Sequence, residues 1–410
     1  MCKSIPTVDG AEIQRRLHEL AQISVLPDRL WRPSYTPQEG QARRLLTSWF
    51  AKAGLSARLD AAGNLFGRAG GAGQVTLIGS HMDTVKGAGA YDGTAGVLCG
   101  LAALQTLLAH FGPPHAPVEL VAMVEEEGSR FPDASFWGSR SILGQADPAL
   151  LSCRDEAEVT LAQAMADAGF DPARLPDARR TDLARYFEVH IEQGPVLEHR
   201  GIQLGVVDTI TGLGTLAVEI TGRANHAGTT PMDLRLDALQ GAAGLVLRLP
   251  GLARRFQNAT ATAGSFQVFP GSANVIPGRV SILVDYRAPD PDDLARLGRE
   301  IDQAAHSLEA EGYGVTTQLR MSLPPARLDR GLGALLEQCA DELSCSSMHM
   351  ISGAGHDCQL FAGQVPSALL FLPCRDGRSH CPEEYAAPED LARGAQVLAA
   401  ALYRLAWQET

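Results

Sequence analysis

The feature that most constrains this chain is an alternation of short apolar runs with helical stretches, broken once in the middle by a segment of different order. VTLIGSH (75–81), VELVAMVEEE (118–127) and YFEVHIEQG (186–194) are apolar runs that close on acids or a histidine. Such runs read as buried strands. Helical patterns lie around them at 11–26, 37–54 and 94–111. The alternation resumes late, with SMHMIS, a helix near 358–362, ALLFLP and a terminal helix over 391–407. Strands alternating with helices predict a mostly parallel sheet. Ligands of such sheets bind beyond the carboxyl ends of the strands, where His81, Glu126, Glu127 and His190 fall. Residues 211–327 differ: strand, helix, strand, strand, helix, strand, the order of a split-βαβ, ferredoxin-like unit. The expected architecture is an α/β catalytic domain over 1–210 and 328–410, interrupted by an inserted α+β domain over 211–327.

Length and charge set bounds. At 410 residues the chain has room for two domains, and its 45% hydrophobic and 20% charged content suits a soluble globular protein. A net charge of -12 argues against nucleic acid as a partner. The cysteines at 2, 99, 153, 339, 345, 358, 374 and 381 form no CxxC pair and several lie in apolar stretches. Buried free thiols in a reducing cytoplasm are expected. The start, MCKSIPTVDG, lacks the apolar core of a signal peptide. No run reaches the ~18 consecutive apolar residues of a membrane span.

Seven residues with metal or acid–base chemistry sit in five short segments: GSHMDT (His81, Asp83), AYDG (Asp92), VEEEG (Glu126, Glu127), EVHIEQG (His190) and SHCPEE (His380). Three histidines with carboxylates are the donor set of a hydrolytic divalent-metal site. Singly, each histidine reads as a hydrogen-bonded structural residue, and Asp92 as a turn residue. The H-x-D pair strengthens His81, because side chains two apart on a strand point the same way and Asp83 can fix the imidazole. Adjacent strand residues face opposite ways, so Glu126 and Glu127 share a site only if the chain bends there. In the middle segment, RANHAGTTPMD places His226 in a loop, GSANVIPGR places Asn274 between strands, and VDYRAPD puts Arg287 at a strand end. Arginine is the natural bidentate partner of a carboxylate. Gln193 follows His190 closely, and Gly353, Ala354 and Gly355 allow close backbone approach to a ligand.

At these residues the chain resembles the metal-dependent hydantoinase/carbamoylase amidohydrolases, a family with allantoate amidohydrolases and N-carbamoyl-L-amino-acid hydrolases, in the dinuclear zinc-peptidase-like superfamily. The resemblance runs from Asn64 to Trp407 and rests on GSHMDTV, YDG, EEEGSRFP, HIEQGPVLE, NHAGTTPM, NVIPG, SGAGHD and SH-x-P-E in that order. It implies two divalent ions per subunit, Zn or Mn, held by His81, Asp92, Glu127, His190 and His380 with Asp92 bridging. It implies Glu126 as general base and Asp83 as the residue behind His81. Substrate contacts are implied for Gln193, His226, Asn274, Arg287, Gly353, Ala354 and Gly355. A homodimer through the inserted domain is implied, with His226 reaching the partner's site. EEEGSRFP, FWGS (136–139) and LYRLAW (402–407) are most like the allantoate-cleaving members. The implied reaction is allantoate to ureidoglycine, ammonia and carbon dioxide in a cytoplasmic enzyme of purine catabolism. The alternatives are hydrolysis of an N-carbamoyl-L-amino acid or of a β-ureidopropionate-like substrate, and more remotely peptide cleavage. KGAGA before YDG, Cys381 after the last histidine, and Leu236 after Arg235 depart from the family's usual pattern.

Overall fold

The computed structural model describes residues 5–408, which leaves Cys2 outside the described residues. The chain divides into two compact units. One holds the chain up to Asp208, Arg327–Met350 and the chain from His356 on; the other holds Thr209–Ala326 and Ile351–Gly355.

The centre of the first unit is four parallel strands, adjacent in the order Val118–Met123, Val75–His81, Leu183–Ile191, Ser367–Leu372. Leu65–Ala69 and Ser56–Leu59 extend the sheet antiparallel beyond Val118–Met123. Every residue of Val75–His81, Val118–Met123 and Ser367–Leu372 is buried. A parallel sheet covered on both faces requires this, and it is why these strands read as apolar runs without alternation. The helix Thr94–Phe111 lies directly on the sheet: a Cβ at Gly96 would stand 2.2 Å from the Val189 carbonyl oxygen. That helix is long and apolar enough to cross a membrane, but 61% of it is buried inside the protein. Among the described residues no two cysteines are joined by a disulfide.

The first helix differs from the sequence expectation for a local reason. It spans Gly10–Ala21, capped by the Asp9 carboxylate. It stops short of residue 26 because Ser24 organises a loop, its hydroxyl accepting from the N–H groups of Leu26 and Trp31. In the second unit the helix Ala238–Ala253 is capped by the Asp237 carboxylate, which accepts from Leu239 N–H.

The second unit runs Gly212–Thr221, Ala238–Ala253, Thr260–Phe269, Arg279–Ala288, Pro291–His306, Gly314–Leu323 as strand, helix, strand, strand, helix, strand. Its four strands form one antiparallel sheet in the order fourth, first, third, second. Val218, Ile220, Val280, Ile282 and Val284 meet Leu245, Leu249, Leu297 and Ile301 in its own core. The fold is thus mixed α/β, with a mostly parallel central sheet and a separate antiparallel one.

Candidate metal and catalytic site

The parallel order of the four central strands brings their carboxyl ends to one edge, and the first unit's candidates gather there. His81 is the last residue of its strand and His190 the penultimate residue of the next. Each has its Nδ1 against a backbone carbonyl: His81 on Asp83 O at 3.1 Å, His190 on Ile191 O at 2.9 Å. A carbonyl only accepts, so both rings carry Nδ1–H and turn Nε2 toward the site. Those Nε2 atoms lie 3.5 and 3.1 Å from Asp92 Oδ1. His380 Nε2 lies 3.0 Å from the other oxygen, Oδ2, and 3.6 Å from Glu127 Oε1. Asp92 thus turns one oxygen to each of two donor groups, His81–Asp92–His190 and Asp92–Glu127–His380, whose ligand atoms lie within 4.8 Å of one another. Glu127 Oε1 is buried with no hydrogen-bond partner. A mixed N/O set with split carboxylate oxygens and an unpartnered buried oxygen fits a pair of divalent cations.

The bend that Glu126 and Glu127 need is present. After the strand Val118–Met123, Glu125 takes a left-handed φ of 50°. The backbone N–H groups of Glu126 and Glu127 then both donate to the Asp83 carboxylate, at 3.1 and 3.3 Å. This revises the expected role of Asp83. Its carbonyl, not its carboxylate, holds His81, while the carboxylate lies 3.7 Å from Nδ1 and braces the glutamate turn. Glu126 Oε2 stands 3.8 Å from His81 Nε2, beside the donor groups. Gln193 and His380 each also have φ 57°. Left-handed backbone at non-glycine residues is costly and clusters where a site over-determines it. Gly93 is required for space, since a Cβ there would stand 2.3 Å from the His81 ring.

Electrostatics follow from the crowding. Burial pushes the Glu126 carboxyl well above its usual range, and Glu127, Asp357 and Asp83 add repulsion that His81 opposes. Burial and Asp92 push Glu127 up to about 8. Asp92 is held well below its usual value: burial works against its charge, but His190, His380 and His81 outweigh it. The hydrogen bond to Asp92 lifts His380 to about 9.

Gln193 donates to Asp92 Oδ2 at 2.9 Å, and its own Oε1 is buried without a partner. The remaining candidates belong to the second unit. His226 Nδ1 accepts from the N–H groups of Gly228 and Thr229 at 3.0 and 3.2 Å, so its Nε2 carries the proton and is a donor. The carbonyl of Asn274 accepts from Ala227 N–H at 2.9 Å, which brings the two loops together. Arg287 is gripped by Asp285 through Nε and Nη2 at 2.9 and 3.1 Å, and its Nη1 donates to Gly353 O at 2.7 Å. Three of the five guanidinium N–H groups are so engaged, leaving two.

Several site residues escape sequence reasoning. Glu188 accepts from the Ser80 hydroxyl and from Cys358 N–H. The His356 ring packs edge-on against His190, centroids 4.6 Å apart. Asp357 is fully buried, and burial with Glu188 nearby raises it to about 8 against the opposing pull of His81 and Ser139. Glu384 contacts the Asp92 turn. The only local signal for Glu188 was a polar residue inside an apolar run.

Residues 77–404 match the sequence pattern of Peptidase family M20/M25/M40, and the chain belongs to that family of metal-dependent hydrolases. It is 37% identical to an N-carbamoyl-L-amino acid amidohydrolase of Geobacillus stearothermophilus, over 98% of each chain. It is 36% identical to the allantoate amidohydrolase of Escherichia coli (strain K12), over 92% of each. Its structure is similar to that of a hydantoinase/carbamoylase family amidase from Burkholderia multivorans, with a TM-score of 0.88 at 33% identity, covering 99% of this chain and 100% of that one.

Proposed function

We propose that this protein hydrolyses a ureido C–N bond, with allantoate as substrate and ureidoglycine, ammonia and carbon dioxide as products. The observation that carries the hydrolytic reading is Glu126, a buried carboxyl held next to two cation-donor groups by a turn that Asp83 braces. His81 and His190 would hold one ion, Glu127 and His380 the other, and Asp92 both. Bound ions supply Lewis acidity and a water of lowered pKa. Glu126 takes the proton of the attacking water and delivers it to the leaving nitrogen. The C–N bond breaks to give the amine and a carbamate, which falls apart to ammonia and carbon dioxide. The Gln193 amide, which donates to Asp92 Oδ2, would turn to a substrate carbonyl once Asp92 served as a metal ligand. His226 Nε2–H and the Asn274 side chain serve the developing oxyanion, and the two remaining N–H groups of Arg287 serve the substrate carboxylate.

Allantoate carries a carboxylate between two ureido groups and meets both demands. EEEGSRFP, FWGS and LYRLAW favour it over N-carbamoyl-L-amino acids, the second reading, which the 37% identical relative supports. The working unit is a homodimer: the strand Thr260–Phe269 ends the second unit's sheet with a free edge, suited to a second copy, and His226 serves the partner's site. Ammonia release from metal-reconstituted protein tests the substrate, with allantoate set against ureidoglycolate and a panel of N-carbamoyl-L-amino acids. Allantoate is expected to be turned over best; faster turnover of N-carbamoyl-Met or N-carbamoyl-Phe installs the second reading.

A further inference from the structure

Glu384 is 4% exposed and lies 292 residues from Asp92 in the chain, yet it is bonded to the Asp92 turn. Its Oε1 accepts the backbone N–H groups of Tyr91 and Asp92, at 2.8 and 3.1 Å. Its Oε2 accepts the Ser379 hydroxyl at 2.8 Å. That same hydroxyl oxygen is 3.2 Å from Asp92 Oδ2, and Ser379 immediately precedes His380. The side chain is pressed into the turn so closely that a Cβ at Gly89 would stand 2.2 Å from Glu384 Cβ. Glu384 therefore ties together two distant segments that supply donors to one cation group: the YDG turn with Asp92 and the SHCPEE loop with His380.

We propose that Glu384 is a positioning residue for the ion held by Asp92, Glu127 and His380, setting the separation between the bridging carboxylate and the last histidine. The proposal rests on the metal reading above, and it concerns one of the two ions more than the other. His81 and His190 are fixed by the backbone carbonyls of Asp83 and Ile191, contacts in which Glu384 takes no part. Its geometry also predicts what kind of substitution it tolerates. Both backbone N–H groups meet a single oxygen, Oε1, so a glutamine keeps them. Its amide nitrogen would then donate to Ser379, whose hydroxyl remains free to donate to Asp92. Position is preserved and only charge is lost.

The test is metal stoichiometry and affinity, read with Zn and with Mn by elemental analysis after dialysis and by titration against a competing chelator on the full-length protein. Native protein is expected to hold two ions per chain. Glu384→Ala is expected to bind the weaker ion about 10- to 100-fold less tightly, the usual range for lost outer contacts to a metal ligand, and to retain one ion at limiting metal. At saturating metal its KM for the best substrate of the ammonia-release panel is expected to equal the native value and its kcat to recover. Glu384→Gln is expected to bind both ions as the native protein does. Native-like affinity for both ions in Glu384→Ala overturns the proposal, and so does a loss in Glu384→Gln as large as in Glu384→Ala, which assigns the effect to charge. If Glu384→Ala fails to fold by near-UV circular dichroism, Glu384→Asp decides. It keeps the charge but withdraws the acceptor by one methylene, so weakened binding of one ion supports positioning and unchanged binding overturns it. A native protein that takes up no ion removes the metal reading itself, an outcome distinct from native binding that survives loss of Glu384.

Discussion

His81 and His190 are each 2% exposed and pinned through Nδ1 to a backbone carbonyl, whereas His226 is exposed and stands in a loop whose own N–H groups hold it. Buried Asp92 touches three imidazoles, His81 and His190 buried and His380 half-exposed, while Arg287 lies part-exposed between Asp285 and Gly353 O. The first unit fixes its groups by strand ends and buried carboxylates. The second offers single side chains, each oriented by one or two local hydrogen bonds. On the proposed function, the groups that hold ions and move a proton sit where displacement is costly. Groups that meet a variable small molecule sit where replacement disturbs little else. Changes in the first unit should therefore act on ion content and turnover, and changes in the second should leave ion content alone, lowering substrate affinity at Arg287 and turnover at His226.

The sharpest test of that contrast is Glu126→Gln. Turnover should fall about 100- to 10,000-fold, the range for loss of a general base, with ion content and thermal midpoint retained. Glu127→Ala should instead lose ion, so elemental analysis separates neighbours in one turn. Near-native rates in Glu126→Gln would remove it as the base. Next comes complementation: His226→Ala and Glu126→Gln, each inactive alone, should recover part of the activity when mixed and allowed to exchange subunits. Verified mixed dimers with no recovery would place His226 in its own subunit's site. Arg287→Lys swaps a fork for a point charge and should raise KM roughly 10-fold, about one charged hydrogen bond, with ion content unchanged. An unchanged KM would free Arg287 from substrate binding.

The contrast can also be tested through pH. Glu127, pushed up to about 8 by burial and Asp92, and His380, lifted to about 9 by Asp92, both carry protons at pH 6. Both must lose them to hold a cation. Ion affinity should accordingly rise from pH 6 to 9 and level above, by up to about tenfold per pH unit for each proton released. A flat competition titration over that range would show that these groups do not ligate.

The strand ends were legible because burial on both faces writes itself as an apolar run, and VTLIGSH coincides with the strand Val75–His81. Parallel pairing then required His81 and His190 to share an edge. The turn at Glu125 was not legible, because nothing in three consecutive glutamates says which one takes a left-handed φ. The strands Ser56–Leu59 and Leu65–Ala69 were missed because such short runs around a Gly–Asn turn carry too little pattern. Glu384 was hidden for a different reason. Its partners are backbone amides far away in sequence, and an acid among acids after a proline has no spacing that announces them. Asp83 was half legible: a brace behind His81 was expected from its side chain, but its backbone carbonyl does that and the carboxylate braces the glutamate turn.

The crowding of Asp83, Asp92, Glu126, Glu127 and Asp357 around one edge has a consequence for the whole molecule. Cations that bind only the native arrangement draw the folding equilibrium toward it by mass action. At a free ion concentration 100 times the dissociation constant, that contributes about 2.7 kcal/mol per site. Against the 5–15 kcal/mol by which roughly all domains are stable, such a share makes cation supply a determinant of how long each copy survives. For this protein a chelator would act as a mild denaturant.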